Sequence, residues 1–148
     1  MLSMISNISK KVRNLKWEEI KEGDTADFLV EITPAVLENF TKLSGDINPL
    51  HNDQLFAKSQ GFADVVAPGI FLASFFSQLV GVHLPGLHAL YLSQTLHFRK
   101  PAFLGETVKV SGIVKKKVEA VQLIYLTTQI VNQNNEIVVE GEAIVKFI

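Results

Sequence analysis

Asp46 and His51, five positions apart in the string Ser44-Gly45-Asp46-Ile47-Asn48-Pro49-Leu50-His51, put a carboxylate and an imidazole on one short stretch of chain. These side-chain types commonly exchange protons with a substrate near neutral pH. Gly45 can adopt a positive φ and turn the chain just before Asp46. Asn48-Pro49 reads as a cap followed by proline at the first helical position, which sets His51 one helical turn past the cap. Both side chains can then converge on one cleft. The same residues also fit an ordinary loop-to-helix junction, with Asp46 as a turn residue and Asn48 as a cap. Spacing by itself leaves chemistry and architecture both open.

The elements that would position this pair are legible from periodicity. From Asp24 to Ile32 the chain alternates, with Phe28, Val30 and Ile32 on one side, as a half-buried strand does. Thr33-Pro34 opens a helix in which Val36, Leu37, Phe40 and Leu43 recur at helical spacing until Gly45 stops it. A short helix is expected after Pro49, through Leu55 and Phe56 to near Gly61, and then a loop to Pro68. From Gly69 to about Val82 the chain is apolar nearly all round, with Ile70, Phe71, Leu72, Phe75, Phe76, Leu79 and Val80, so the helix it forms must be enclosed. Its fourteen residues fall short of the roughly twenty needed to cross a bilayer. Alternating segments follow at Leu90–Phe98, Thr107–Val118, Val121–Val131 and Glu136–Phe147. Strands joined by short turns pair antiparallel. The expected class is α+β, a curved antiparallel sheet wrapped around a central apolar helix.

Composition narrows the function classes. A chain of 148 residues with 47% apolar content suits a single core. A net charge of -1, from 14 basic and 15 acidic residues, gives no general electrostatic reason to expect nucleic acid or an anionic membrane as partner. The absence of cysteine excludes a disulfide framework, a thiolate metal site and a cysteine nucleophile, and makes the cytoplasm the default compartment. Residues 1–21 read as a basic N-terminal arm, solvated or loosely packed, ahead of a single domain over residues 22–148. Lys10, Lys11, Arg13 and Lys16 among serines also have the composition of an organelle transit segment, which would place the protein in an organellar matrix. His83, His88 and His97 match no familiar zinc spacing, so no metal is expected. No Gly-x-Ser-x-Gly elbow, phosphate loop or dinucleotide fingerprint is present.

Three segments together resemble the MaoC-like (R)-specific enoyl-CoA hydratases of the hotdog fold: Leu43 to Asp53, which contains Gly45-Asp46-Ile47-Asn48-Pro49-Leu50-His51, then Pro68 to Ser77, then Tyr91 to Phe98. The resemblance runs from about Glu22 to Phe147. It implies reversible syn hydration of trans-2-enoyl-CoA to (R)-3-hydroxyacyl-CoA in a homodimer whose sheets join side by side. Coenzyme A thioester is then the substrate, and no separate cofactor is implied. Carried over by motif, Asp46 and His51 are the catalytic pair that holds one water, Asn48 orients them, and Gly69 offers its backbone N–H to the thioester oxygen. Ser77 corresponds to a serine beside the pair, and Val80 and Phe76 line the acyl pocket. Arg99 and Lys100 follow the segment that the family places near the thioester ligand and are candidates to meet coenzyme A phosphates. The chain departs from many relatives at Pro68, where they have histidine.

The implied reaction has definite chemical needs. Water addition across a conjugated thioester requires a base for a water proton and an acid for the carbon next to the carbonyl. A carboxylate and an imidazole, with ordinary pKa values of about 3.9 and about 6.5, can share these tasks. Developing enolate charge suits the positive end of a helix, where Gly69 stands. Other hotdog activities remain alternatives: acyl thioester hydrolysis, dehydration of an acyl group on a carrier protein, or a non-catalytic acyl-CoA-binding module.

Overall fold

Val108, Val110 and Val114 point inward along β4 (Thr107–Val118) while Thr107, Lys109 and Ile113 point out, and this alternation makes the strand one layer of a half-buried sheet. The computed structural model describes residues 12–148. In it β4 pairs on one side with β1 (Thr25–Glu31) and on the other with β5 (Leu123–Val131). β6 (Ile137–Phe147) follows β5, and β2 (Ala89–Gln94) lies beyond β6, giving the order β1-β4-β5-β6-β2. A two-residue strand, β3 (His97–Phe98), also pairs with β6, and every pairing is antiparallel. The expected single strand from Leu90 to Phe98 is thus two pieces. The Thr95 carbonyl lies so close over Gly141 that a Cβ there would sit 1.8 Å from it, and although Thr95 N–H bonds the Glu142 carbonyl, Glu142 N–H is taken by Thr95 Oγ1, so the main-chain ladder lapses there.

Against the inner face of this sheet lies the central helix, α4 (Gly69–Gln78), which buries Phe71, Leu72 and Phe76. A wider π turn, Leu79–His83, continues it and buries Leu79 and Val80. Phe71, Leu72, Phe76 and Leu79 meet Phe28, Val108, Val110, Ile130 and Val139 from the sheet, which is the arrangement the apolar run demands. Enclosure is less complete than the sequence implies: Ile70 is 59% exposed, and Ser74 and Ser77 are also on the surface. One flank of α4 therefore borders an open apolar groove against Tyr91 and Leu96.

The basic arm expected over residues 1–21 needs correction from residue 12 onward; Lys10 and Lys11 lie outside the described residues. Trp17 and Ile20 are buried with Val80, Leu84, Ile124 and Val145 in a second apolar cluster. Lys117, the last of the run Lys115-Lys116-Lys117 on β4, donates to the carbonyls of Trp17 and Ile20 and lies 4.3 Å over the indole ring, so it tethers this segment to the sheet. Arg13 and Asn14 are held by main-chain bonds to Val82 and a bridge to Gly86. Two large apolar side chains gain more from burial than the neighbouring cations need from solvent.

Between β1 and α4 the chain forms three helices: α1 (Pro34–Ser44), α2 (Pro49–Asn52) and α3 (Gln54–Ser59). Thr33 caps α1 through Val36 N–H, and Gly45 ends it in the left-handed region at φ 74°. The single helix expected from Pro49 to Gly61 is broken at Asp53, whose carboxylate accepts from Leu55 and Phe56 N–H and starts α3 afresh.

Candidate active site

A ladder of local side-chain bonds fixes the loop that carries the Asp46–His51 pair. Ser44 Oγ accepts from Asp46 N–H at 3.1 Å, Asp46 Oδ1 from Asn48 N–H at 3.2 Å, and Asn48 Oδ1 from Leu50 N–H at 2.9 Å. Each is the short polar residue competing for main-chain donors that such a turn needs. Asn48 thus acts as the cap of α2; its side-chain oxygen serves the helix, and its link to Asp46 is through its backbone N–H. A residue without a role in the sequence reading, Asn52, spans the loop. Its Nδ2 donates to the carbonyls of Asp46 and Asn48 at 3.2 and 2.9 Å, and its Oδ1 accepts from Thr41 of α1 at 3.0 Å.

His51 is held from the other side by main chain. Its Nδ1 lies 2.6 Å from the Val66 carbonyl, and Val66 N–H returns a bond to the Leu50 carbonyl. A carbonyl can only accept, so Nδ1 carries the hydrogen and the neutral ring presents a lone pair at Nε2. That nitrogen faces Asp46 Oδ2 across 3.9 Å, with the imidazole 17% and the carboxylate 40% exposed. The gap is too long for a direct hydrogen bond. One water oxygen about 2.8 Å from both atoms would subtend an angle of roughly 90°, close to what its two donor directions require.

His51 opens onto a cleft of about 310 Å³ whose walls include Gly69, Phe98, Arg99, Lys100 and Val139. Asp46 is not a wall of that cleft and meets it through His51. Gly69 begins α4, where the first-turn N–H groups have no carbonyl one turn back. The Phe98 ring occupies the space a side chain would take: a Cβ would lie 2.6 Å from Phe98 Cε1 and 2.7 Å from Cδ1. Pro68, the departure noted above, is buried as the residue before this helix, and its carbonyl accepts from Leu72 N–H. A second opening of about 350 Å³ lies on the α1 side of His51, between Leu37, Thr41, Val65 and Leu104.

The remaining sequence candidates separate into two groups. Arg99 and Lys100 do reach the cleft, although Arg99 Nε is 2.7 Å from Glu140 and Lys100 is ion-paired with Glu136. Ser77 and Phe76 lie instead along the groove between α4 and β2, apart from the His51 cleft within one chain. Val80, expected as an acyl-pocket wall, is instead 1% exposed on the π turn and packed in the second core cluster with Trp17 and Ile20. Phe76 is likewise 1% exposed and belongs mainly to the first core cluster. Sequence reasoning missed Phe98, whose place in an alternating run was visible but not its contact with Gly69, and Val66, which acts through a carbonyl and so leaves no side-chain signal. Among the described residues no group of three His, Asp or Glu side chains could hold a metal ion.

An α4 laid on an antiparallel sheet, with a capped Asp–His loop beside its first turn, defines a hotdog-type protein. The sequence matches the MaoC like domain family over residues 10–136. The chain belongs to that family. It is 37% identical over 130 residues to the (R)-specific enoyl-CoA hydratase of Aeromonas caviae, covering 88% of this chain and 97% of that one. It is 36% identical over 106 residues to the mitochondrial 3-hydroxyacyl-[acyl-carrier-protein] dehydratase of Solanum lycopersicum, covering 70% of this chain and 63% of the tomato protein. The solved structure of the (R)-hydratase from A. caviae superposes with a TM-score of 0.86 over 88% of this chain and 99% of that one, at 37% identity.

Proposed function

We propose that the protein catalyses the reversible addition of water to a trans-2-enoyl-CoA, giving the (R)-3-hydroxyacyl-CoA. The observation that carries this reading is the pairing of Asp46 Oδ2 and His51 Nε2 across one water's width, with His51 on a cleft that also holds Gly69. Water held between the two side chains loses one proton to the pair as its oxygen bonds to C3. The π electrons move toward the thioester oxygen, where the N–H at the start of α4 meets the developing charge. The pair then returns a proton to C2 from the same face, so the addition is syn, and the reverse sequence eliminates water. Both protons come from water and side chains, so the reaction needs no cofactor.

The reading includes a homodimer formed through β2, whose outer edge is the free end of the sheet order and whose Leu90 and Leu92 are 48% and 53% exposed. The same groove that holds Ser77 borders this edge, so a second copy would complete the surroundings of α4. No helix among the described residues is long and apolar enough to cross a membrane, and the reading places the enzyme in the cytoplasm.

A direct assay tests the reaction. On trans-2-butenoyl-CoA the enzyme is expected to abolish enoyl conjugation while the thioester stays intact, and the product is expected to be the (R) alcohol. Release of free thiol would replace this reading with hydrolysis. Binding without turnover would leave a non-catalytic module. Turnover confined to the acyl-carrier-protein thioester would assign the activity named for the tomato relative.

A further inference from the structure

Both cations at the mouth of the His51 cleft are already occupied. Arg99 Nε donates to Glu140 at 2.7 Å, and Lys100 is ion-paired with Glu136. Neither carboxylate is there by accident of a floppy surface. Glu140 sits on β6 in register with His97, two residues before Arg99, and Arg99 N–H bonds the Val138 carbonyl on the same strand. Glu136 is fixed by a built turn: its second oxygen accepts from Nδ2 of the buried Asn132, and Asn132 Oδ1 accepts from the N–H groups of Asn134 and Glu136. The bonds from Lys100 and Asn132 hold the Glu136 carboxyl below the usual carboxylate range, so it is ionised at neutral pH. Each of the two cations that line the cleft is thus matched by one carboxylate.

We propose that Glu136 and Glu140 are specificity residues that hold Arg99 and Lys100 in exchangeable pairs, so that the phosphate-bearing end of coenzyme A is bound by displacing a carboxylate from each cation. The inference rests on the coenzyme A reading given above and adds the residues that set its affinity. An arriving phosphate meets a cation whose charge is already met and a carboxylate that repels it. Binding therefore proceeds by exchange, and part of the attraction is spent in opening the pair. A thioester that carries no phosphate makes no such exchange and is indifferent to the two glutamates. The mouth consequently narrows the advantage of coenzyme A thioesters over uncharged short-arm thioesters.

The test compares trans-2-butenoyl-CoA with the same acyl group on N-acetylcysteamine, using wild type, Glu140→Gln, Glu136→Gln and the double variant. Glutamine keeps the shape and, at 136, an oxygen for Asn132. Exposed pairs of this kind correspond to about a two- to fivefold change in affinity each. KM for the coenzyme A thioester is expected to fall by that factor in each single variant and further in the double variant. KM for the N-acetylcysteamine thioester and kcat on both substrates are expected to stay level. A KM that does not move for coenzyme A, or that moves equally for both substrates, overturns the proposal and leaves the pairs as strand braces. Titration of free coenzyme A and of pantetheine into the same four proteins reads the exchange without turnover. Absence of hydration with tighter coenzyme A binding in the variants would thus sink the hydratase reading alone, whereas unchanged coenzyme A binding sinks this one.

Discussion

Replacing Gly69 with alanine separates the fold from the chemistry in one step. The new Cβ would stand 2.6, 2.7 and 3.1 Å from three carbons of the Phe98 ring, against about 3.5–4.0 Å for ordinary carbon contacts. The ring must retreat by roughly 1 Å. Phe98 is 52% exposed on a two-residue strand, so its side chain can give way without disturbing the core. Forcing it off its rotamer costs about 0.5–1.5 kcal/mol. Alanine in place of glycine in a helix returns up to about 1 kcal/mol. Stability should therefore change by no more than about 1 kcal/mol, or about 4 °C in Tm. Activity should not be spared if the proposed mechanism holds, because the ring moves within the cleft beside the N–H proposed to meet the thioester oxygen. A misplacement of about 1 Å can lower turnover by as much as a hundredfold, and a drop in kcat/KM of at least about tenfold is expected. Loss of enoyl absorbance with trans-2-butenoyl-CoA, beside a thermal melt, measures both. The double variant Gly69→Ala/Phe98→Leu should recover part of the loss, since the shorter side chain vacates the colliding positions. Full activity in Gly69→Ala, or a melt lowered by more than about 10 °C, would refute the reasoning.

Other substitutions probe the pair and its supports. Asp46→Asn and His51→Ala should each lower hydration at least about a hundredfold while leaving the melt close to wild type, and near-normal turnover in either would remove the pair from the mechanism. Asn52→Ala removes three hydrogen bonds that brace Asp46 and Asn48 against α1. At about 0.5–1.5 kcal/mol for a single such bond, kcat should fall roughly tenfold with KM little changed, and an unchanged kcat would show that the loop holds without it. Burial raises the Tyr91 phenol from its ordinary 10.0 to about 12. The unfolded chain then releases this proton first, so the contribution of Tyr91 is intact below pH 10, declines between pH 10 and about 12, and is gone above. Tyr91→Phe should flatten the loss of stability in that window, as followed by denaturant titration at several pH values, and an unaltered slope would mean the phenol does not titrate there.

Much of the scaffold could be read directly because its signals are local. Thr33-Pro34 and Gly45 bracket α1 where cap chemistry places them, and the alternation from Thr107 to Val118 matches β4 residue for residue. The Asp46–His51 approach was legible because both residues lie on one capped loop of short range. What escaped depends on partners distant in sequence. The break in the Leu90–Phe98 strand comes from the Thr95 carbonyl crossing Gly141, and the packing of Trp17 comes from a cluster that includes Ile124 and Val145. The burial of Val80 on the π turn Leu79–His83 likewise comes from partners distant in sequence, Trp17 and Ile20 among them. The ion pairs of Arg99 and Lys100 needed the register of β6, which no spacing within one segment contains.

The acceptor that orients His51 is the Val66 carbonyl, a group common to all amino acids. Evolutionary drift at position 66 can alter size and polarity without erasing it, whereas a carboxylate partner could vanish with one codon. The ring's hydrogen placement is thereby inherited from the path of the backbone. Relatives whose residues at this position differ widely can keep the same proton chemistry, provided the chain still passes the imidazole at the same height.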